Sequence, residues 1–116
     1  MHEGFYVLDH KWNFVYANKQ ITAAVGMKPE DWIGHNLWKI FPKYVGKPIE
    51  AEFRAVMEKQ EIRRFESTSE YSGVSYLVTV SPSVEGISIL ATDVLAGLRQ
   101  AGRKGSNHLF ISLIKK

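Results

Sequence analysis

The sequence predicts an α+β domain: a five-stranded antiparallel sheet with short helices and one longer helix packed on one face. Three observations carry this. The chain opens with two short runs rich in β-branched and aromatic residues. Residues 18–60 then show helical spacing broken repeatedly by glycine and proline. From residue 64 the pattern switches to strict period-two alternation. At 116 residues there is room for one domain with one core.

FYVLD (5–9) and FVYAN (14–18) read as a strand pair joined by the polar turn HKWN. Asn18 suits a helix N-cap, with Ile21, Ala24 and Val25 on one face and Gly26 as the stop. Pro29 opens a short turn, PEDWI, with two acids at its start, and Gly34 ends it. Asn36 caps a third short helix, in which Leu37, Ile40 and Phe41 share a stripe, stopped by Pro42. Pro48 starts the longest helix, where Ile49, Phe53, Val56 and Met57 form one buried stripe. Glu50, Arg54 and Glu58 lie four apart on its solvent side. Phe65, Ser67, Ser69 and Tyr71 then alternate with charged and hydroxyl residues, and Ser72-Gly73 predicts a tight hairpin turn. Val74, Tyr76, Val78 and Val80 form the inner face of the next strand. PSVEG turns the chain into a last strand, ISILAT.

Composition narrows the function. Apolar residues at 45% and charged ones at 23% are those of an ordinary soluble globular chain. The absence of cysteine excludes disulfides, thiolate metal sites and cysteine nucleophiles. No run reaches the roughly 18 apolar residues of a membrane helix, and MHEGFYVLDH lacks the pattern of a signal peptide. A cytoplasmic location is expected. The net charge of +3 comes from the end of the chain: Arg99, Arg103, Lys104, Lys115 and Lys116 follow Asp93 with no acid among them. The body is mildly acidic, so nucleic-acid binding is not expected of it. Residues 1–95 thus read as the domain and 96–116 as a basic tail or linker. His35 stands in the turn GHN, and His2, His10 and His108 have no ligand spacing relative to it. A zinc site needs more ligands than this, so no metal is expected and His35 reads as a surface loop residue.

Four stretches, "EGFYVLDHKWNFVYANKQITAAVG", "PEDWIGHNLWKIFP", "YLVTVSP" and "TDV", together resemble PAS domains in order and spacing. The likeness covers roughly residues 3–95 and is greatest to the branch that carries G-x-N-L-W-x-I-F-P. It implies a sensory module of a larger signalling protein, such as a sensor histidine kinase or a transcriptional regulator, with an output domain as partner. It also implies a small molecule held between helices and sheet, or signal relay through a homodimer. Asp93 resembles the aspartate of the family's D-I-T exit motif, which couples the last strand to a downstream helix. Here the motif reads Asp93-Val94-Leu95 and lacks the hydroxyl.

The candidate pocket residues are Trp38, Phe41, Phe53, Met57, Phe65, Ser67, Tyr76 and Val78, an apolar set with a few hydroxyls. A filled core is the bland alternative. On the outer sheet face, Leu77 and Leu90 are candidates for a dimer interface. Haem-binding relatives often carry a histidine on the long helix, which has none here, and light-sensing relatives use a cysteine that is also lacking. Flavin-binding relatives place Asn and Gln on the late strands, and 74–81 and 87–92 contain neither. No haem or flavin is therefore expected. A small isomerase-like α+β enzyme would need a carboxylate base inside an apolar cavity. The acids sit on turns and on the solvent stripe of the long helix, so the chain reads as a non-enzyme.

Overall fold

The structure, a computed structural model, describes residues 3–95. Strands Glu3–Asp9 (β1) and Phe14–Ala17 (β2) pair antiparallel across the hairpin the sequence predicts. The turn is fixed by Asp9, whose Oδ1 accepts from the Lys11 and Asn13 backbone N–H groups at 2.9 Å each. Trp12 takes a left-handed φ of +70° in that turn, an uncommon state for a bulky side chain. Four helices follow: Lys19–Ala23 (α1), Pro29–Trp32 (α2), Leu37–Ile40 (α3) and Pro48–Lys59 (α4). A 3-10 turn at Pro42–Tyr44 links the last two. Arg63–Thr68 (β3), Ser75–Pro82 (β4) and Gly86–Asp93 (β5) follow.

Both predicted asparagine caps form. Asn18 Oδ1 accepts from Ile21 N and also from Phe5 N, both at 3.1 Å, so the cap ties α1 to β1. Asn36 Oδ1 accepts from Trp38 N at 2.9 Å, and its amide donates to Lys11 O at 3.0 Å, tying α3 to the first hairpin. These long-range bonds let helices of only four or five residues hold their positions, which isolated helices of that length cannot do.

The five strands form one sheet in the order β2-β1-β5-β4-β3, with every neighbouring pair antiparallel. The last strand therefore occupies the centre. Ile87, Ile89 and Ala91 on its inner face are buried, beside Leu8 of β1 and Val78 and Val80 of β4. The helices cover this face, and α4 adds buried Phe53 and Val56 to the core.

The β3–β4 connection differs from the sequence expectation. The strands end at Thr68 and resume at Ser75, so Ser72-Gly73 is not a two-residue turn and Tyr71 lies outside the strand. The cause is Ser69, whose hydroxyl accepts from Tyr71 N and Ser72 N at 3.1 and 3.2 Å and bends the chain early. Tyr71 turns back instead, and its hydroxyl accepts from Lys43 N at 2.9 Å.

Candidate functional site

Between helices and sheet lies a cavity of about 60 Å³. Its floor is the sheet: Tyr6 from β1, Ser67 from β3, Tyr76 and Val78 from β4, Ile89 and Ala91 from β5. Its roof comes from Ile21 and the residues after α1, Trp32 of α2, Phe41 after α3, Tyr44 and Ile49. The roof approaches closely at β1, because Gly4 leaves room for Ile21; a Cβ there would stand 2.7 Å from it. An open groove adjoins the cavity and shares Ile21, Ala24, Ser72 and Tyr76 with it, so these four frame a mouth to solvent.

The inner wall is a chain of rings in contact. Trp32 stands 4.7 Å from Phe14, 5.0 Å from Phe41 and 5.8 Å from Tyr6 between centroids. Trp32 is 3% exposed, and its indole Nε1 is buried with no hydrogen-bond partner among the described residues. The polar side of the wall is made of hydroxyls. Tyr44 donates to Ser69 Oγ at 3.3 Å. Burial pushes the Tyr6 phenol far above its ordinary value, and the neighbouring Tyr44 adds to that. Burial likewise raises Tyr44, and it raises Tyr76 with a further contribution from Asp93. All three phenols are therefore protonated at neutral pH. Among the described residues, no acid, lysine, arginine or histidine lines the cavity.

Of the residues expected at a pocket, Phe41, Ser67, Tyr76 and Val78 lie on this wall. Trp38, Phe53, Met57 and Phe65 do not. Phe53 is a packed core residue, 1% exposed, and Met57 packs beside the core. Phe65 lines a separate cleft toward Glu52 and Glu66. Trp38 is turned away by its place on α3. One residue is about 100° of helix, so with Leu37 and Phe41 facing inward Trp38 faces the first hairpin. There it meets Trp12 at 5.3 Å, and the Arg54 guanidinium lies 5.3 Å from both indole rings. Glu50 holds that guanidinium at 2.8 Å. Trp38→Ala should therefore cost about 1–2 kcal/mol, the worth of a partly exposed cation–π cluster, rather than the value for a core ring. His35 is exposed, so His35→Ala should stay within about 0.5 kcal/mol. Denaturant melts of both variants check this pair, and a His35 loss as large as the Trp38 loss would refute it.

Tyr6, Trp32 and Tyr44 are wall residues that the sequence reading missed. Tyr6 had a signal, since it shares the period-two face of Gly4 and Leu8 on β1. Trp32 and Tyr44 come from turns too short for periodicity to give them a direction. Asp93 ends β5 opposite Tyr76 and lines the outer groove, and residues 94–95 already have helical backbone. Leu77 and Leu90 lie on the sheet face opposite the described helices, where Phe5 and Val7 of β1 and Tyr16 of β2 extend them into an apolar stripe. Among the described residues no group of acids or histidines could hold a metal ion, and no helix is long and apolar enough to cross a membrane.

A single five-stranded antiparallel sheet with short helices over one face, and a cavity between the two layers, defines a small two-layer α+β domain. A family profile described as the PAS fold matches residues 1–96, and the chain belongs to the PAS family. None of the curated proteins matches the chain. Solved structures do. A domain of an HTR-like protein from Haloarcula marismortui is 14% identical with a TM-score of 0.67, covering 80% of this chain and 98% of its own. A sensory box sensor histidine kinase from Vibrio cholerae is 13% identical, TM-score 0.65, covering 78% and 80%. The PAS domain of the quorum-sensing receptor RpfR from Cronobacter turicensis, solved in complex with BDSF, is 17% identical, TM-score 0.61, covering 80% and 94%. At these identities the likeness is one of fold.

Proposed function

We propose that this PAS domain is the signal-sensing module of a larger signal-transduction protein, such as a sensor histidine kinase or a transcriptional regulator. It takes up a small molecule in the cavity, and Asp93 at the end of β5 passes the change to an output domain. The observation that carries this reading is a cavity ringed by aromatic side chains, with a mouth to solvent. The complex of the RpfR domain with BDSF supports the same use of the fold.

The size of the cavity sets the guest. About 60 Å³ is far below the roughly 300–1,000 Å³ of drug-sized sites. A guest of that size is much smaller than haem or flavin, which supports a reading without either. An isomerase-like enzyme is disfavoured as well, because among the described residues no carboxylate or histidine lines the cavity to serve as a base. The test is native mass spectrometry of protein purified without added ligand. A retained small mass should appear, and it should vanish in Ala91→Leu, where the longer side chain fills the cavity. That overpacking should cost about 1–3 kcal/mol without loss of the fold. Identical spectra for the two proteins, with no retained mass in either, would refute uptake.

A second reading, homodimerisation, rests on the outer stripe of Phe5, Val7, Tyr16, Leu77 and Leu90, flanked by Thr79 and Thr92. Tyr16 is 49% exposed. Leu90 lies at its centre, between Phe5 and Thr79 in register. Sedimentation over a range of concentrations should show a weak dimer that Leu90→Lys abolishes. A monomer at every concentration would rule this face out.

A further inference from the structure

The cavity and the groove at its mouth form one space with two compartments of opposite character. The cavity holds about 60 Å³, and the groove, open to solvent between α1 and the ends of β4 and β5, about 680 Å³. Ile21, Ala24, Ser72 and Tyr76 line both. We infer that the ligand is an amphiphile, with a short unbranched apolar chain in the cavity and a bulkier polar head in the groove. This rests on the ligand-sensing reading above and names the class of the ligand and the place of its head.

Polarity changes with depth. The fully buried wall residues of the cavity, Phe14, Trp32, Leu37, Phe41, Val78 and Ile89 among them, are all apolar or aromatic. Its serines, Ser67, Ser69 and Ser72, and the mouth residue Tyr76 are only half-buried. Tyr6 is the exception, a half-buried residue whose phenol is itself buried near Tyr44. An apolar chain gains by leaving water for the deep end, roughly fourfold in affinity per methylene. A polar head placed there would lose its water among rings. The chain therefore points inward and the head outward. A space this small, walled by packed rings, takes a narrow chain and not a branched one.

The groove sets the head. Lys19, Gln20 and the exposed Ala23 of α1 line one side, and Asp93 at the end of β5 lines it too. With Ser72 and Tyr76 at the mouth, these side chains offer donors and acceptors together. That suits a head rich in hydroxyls or amides. Such a head lies against Asp93, where the last strand gives way to helical backbone at 94–95.

Butyl glucoside, tert-butyl glucoside, glucose and butanol separate the two compartments. Each is titrated into isotope-labelled protein, with the Ile89 and Ala91 methyl resonances reporting on the cavity and the Ala23 amide on the groove. Butyl glucoside should move both sets and bind more tightly than butanol, which should move the cavity set alone. Affinity should rise roughly fourfold per carbon from ethyl to butyl glucoside. Glucose and tert-butyl glucoside should bind at least about tenfold more weakly, having lost the burial of several methylenes. Ala91→Leu, which fills the cavity, should weaken both butanol and butyl glucoside. Ala23→Tyr, at an exposed position that lines the groove and not the cavity, should weaken butyl glucoside and leave butanol unchanged. Equal binding of butyl and tert-butyl glucoside, or butyl glucoside binding indifferent to Ala23→Tyr, would overturn the inference. Butanol binding that Ala91→Leu abolishes, with no binding of butyl glucoside, would overturn it while leaving the cavity as a ligand site. If neither butanol nor butyl glucoside binds, the inference falls together with the ligand-sensing reading beneath it.

Discussion

Trp32→Ala should destabilise the domain by about 3–5 kcal/mol, the range for truncating a core aromatic ring. The ring is 3% exposed and contacts Tyr6, Phe14 and Phe41, so its removal unties α2 from β1, β2 and the segment after α3 at once. Small domains are stable by only about 5–15 kcal/mol. The variant should therefore melt early in denaturant, and its cavity should widen into the space of the lost ring. Trp32→Phe keeps most of that packing and should cost much less. A loss under about 1 kcal/mol for Trp32→Ala would mean that the ring is not the roof of the cavity.

Gly86→Ala should cost about 3 kcal/mol, the upper part of the range for forced overpacking. Its backbone conformation is ordinary, so the reason is steric. Gly86 starts β5 in register with Asp9 of β1, and a Cβ would stand 2.4 Å from Leu8 O and 2.8 Å from the Asp9 carbonyl carbon. Both are backbone atoms of the paired strand and cannot rotate away. Relief requires the two central strands to part at that end, beside fully buried Leu8 and Ile87. Chemical denaturation measures the loss. A change within about 0.5 kcal/mol would show that the strands separate there without strain.

The two substitutions mark where sequence patterns carry structural information and where they do not. Alternation on β4 identified the inner face correctly at Tyr76, Val78 and Val80, and the α4 stripe placed Phe53 and Val56 inward. Both elements are long enough for a period to repeat. The asparagine caps at Asn18 and Asn36 were legible because capping chemistry is local. Candidate wall residues were harder. Trp38 lies off the Leu37–Ile40–Phe41 stripe, and since Leu37 and Phe41 fix the inward face of α3, it meets Trp12 and Arg54 rather than the cavity. Trp32 and Tyr44 sit on single turns whose direction is set by tertiary contacts. The early end of β3 depended on one serine hydroxyl, which competes with the strand ladder for backbone donors.

Chain positions 96–116, with the basic and apolar stretch GRKGSNHLFISLIKK, lie outside the described residues. The proposed sensing depends on the space enclosed by Tyr6, Trp32, Phe41, Tyr44, Ile89 and Ala91.

Crystals of the domain pressurised with xenon test that space directly, since xenon enters apolar cavities and reports its own position. A xenon atom should appear between Trp32 and Ile89, within reach of Ala91, and should disappear in Ala91→Leu. Xenon bound only elsewhere, such as along Phe53 and Met57 of α4, or none bound at all, would contradict the account.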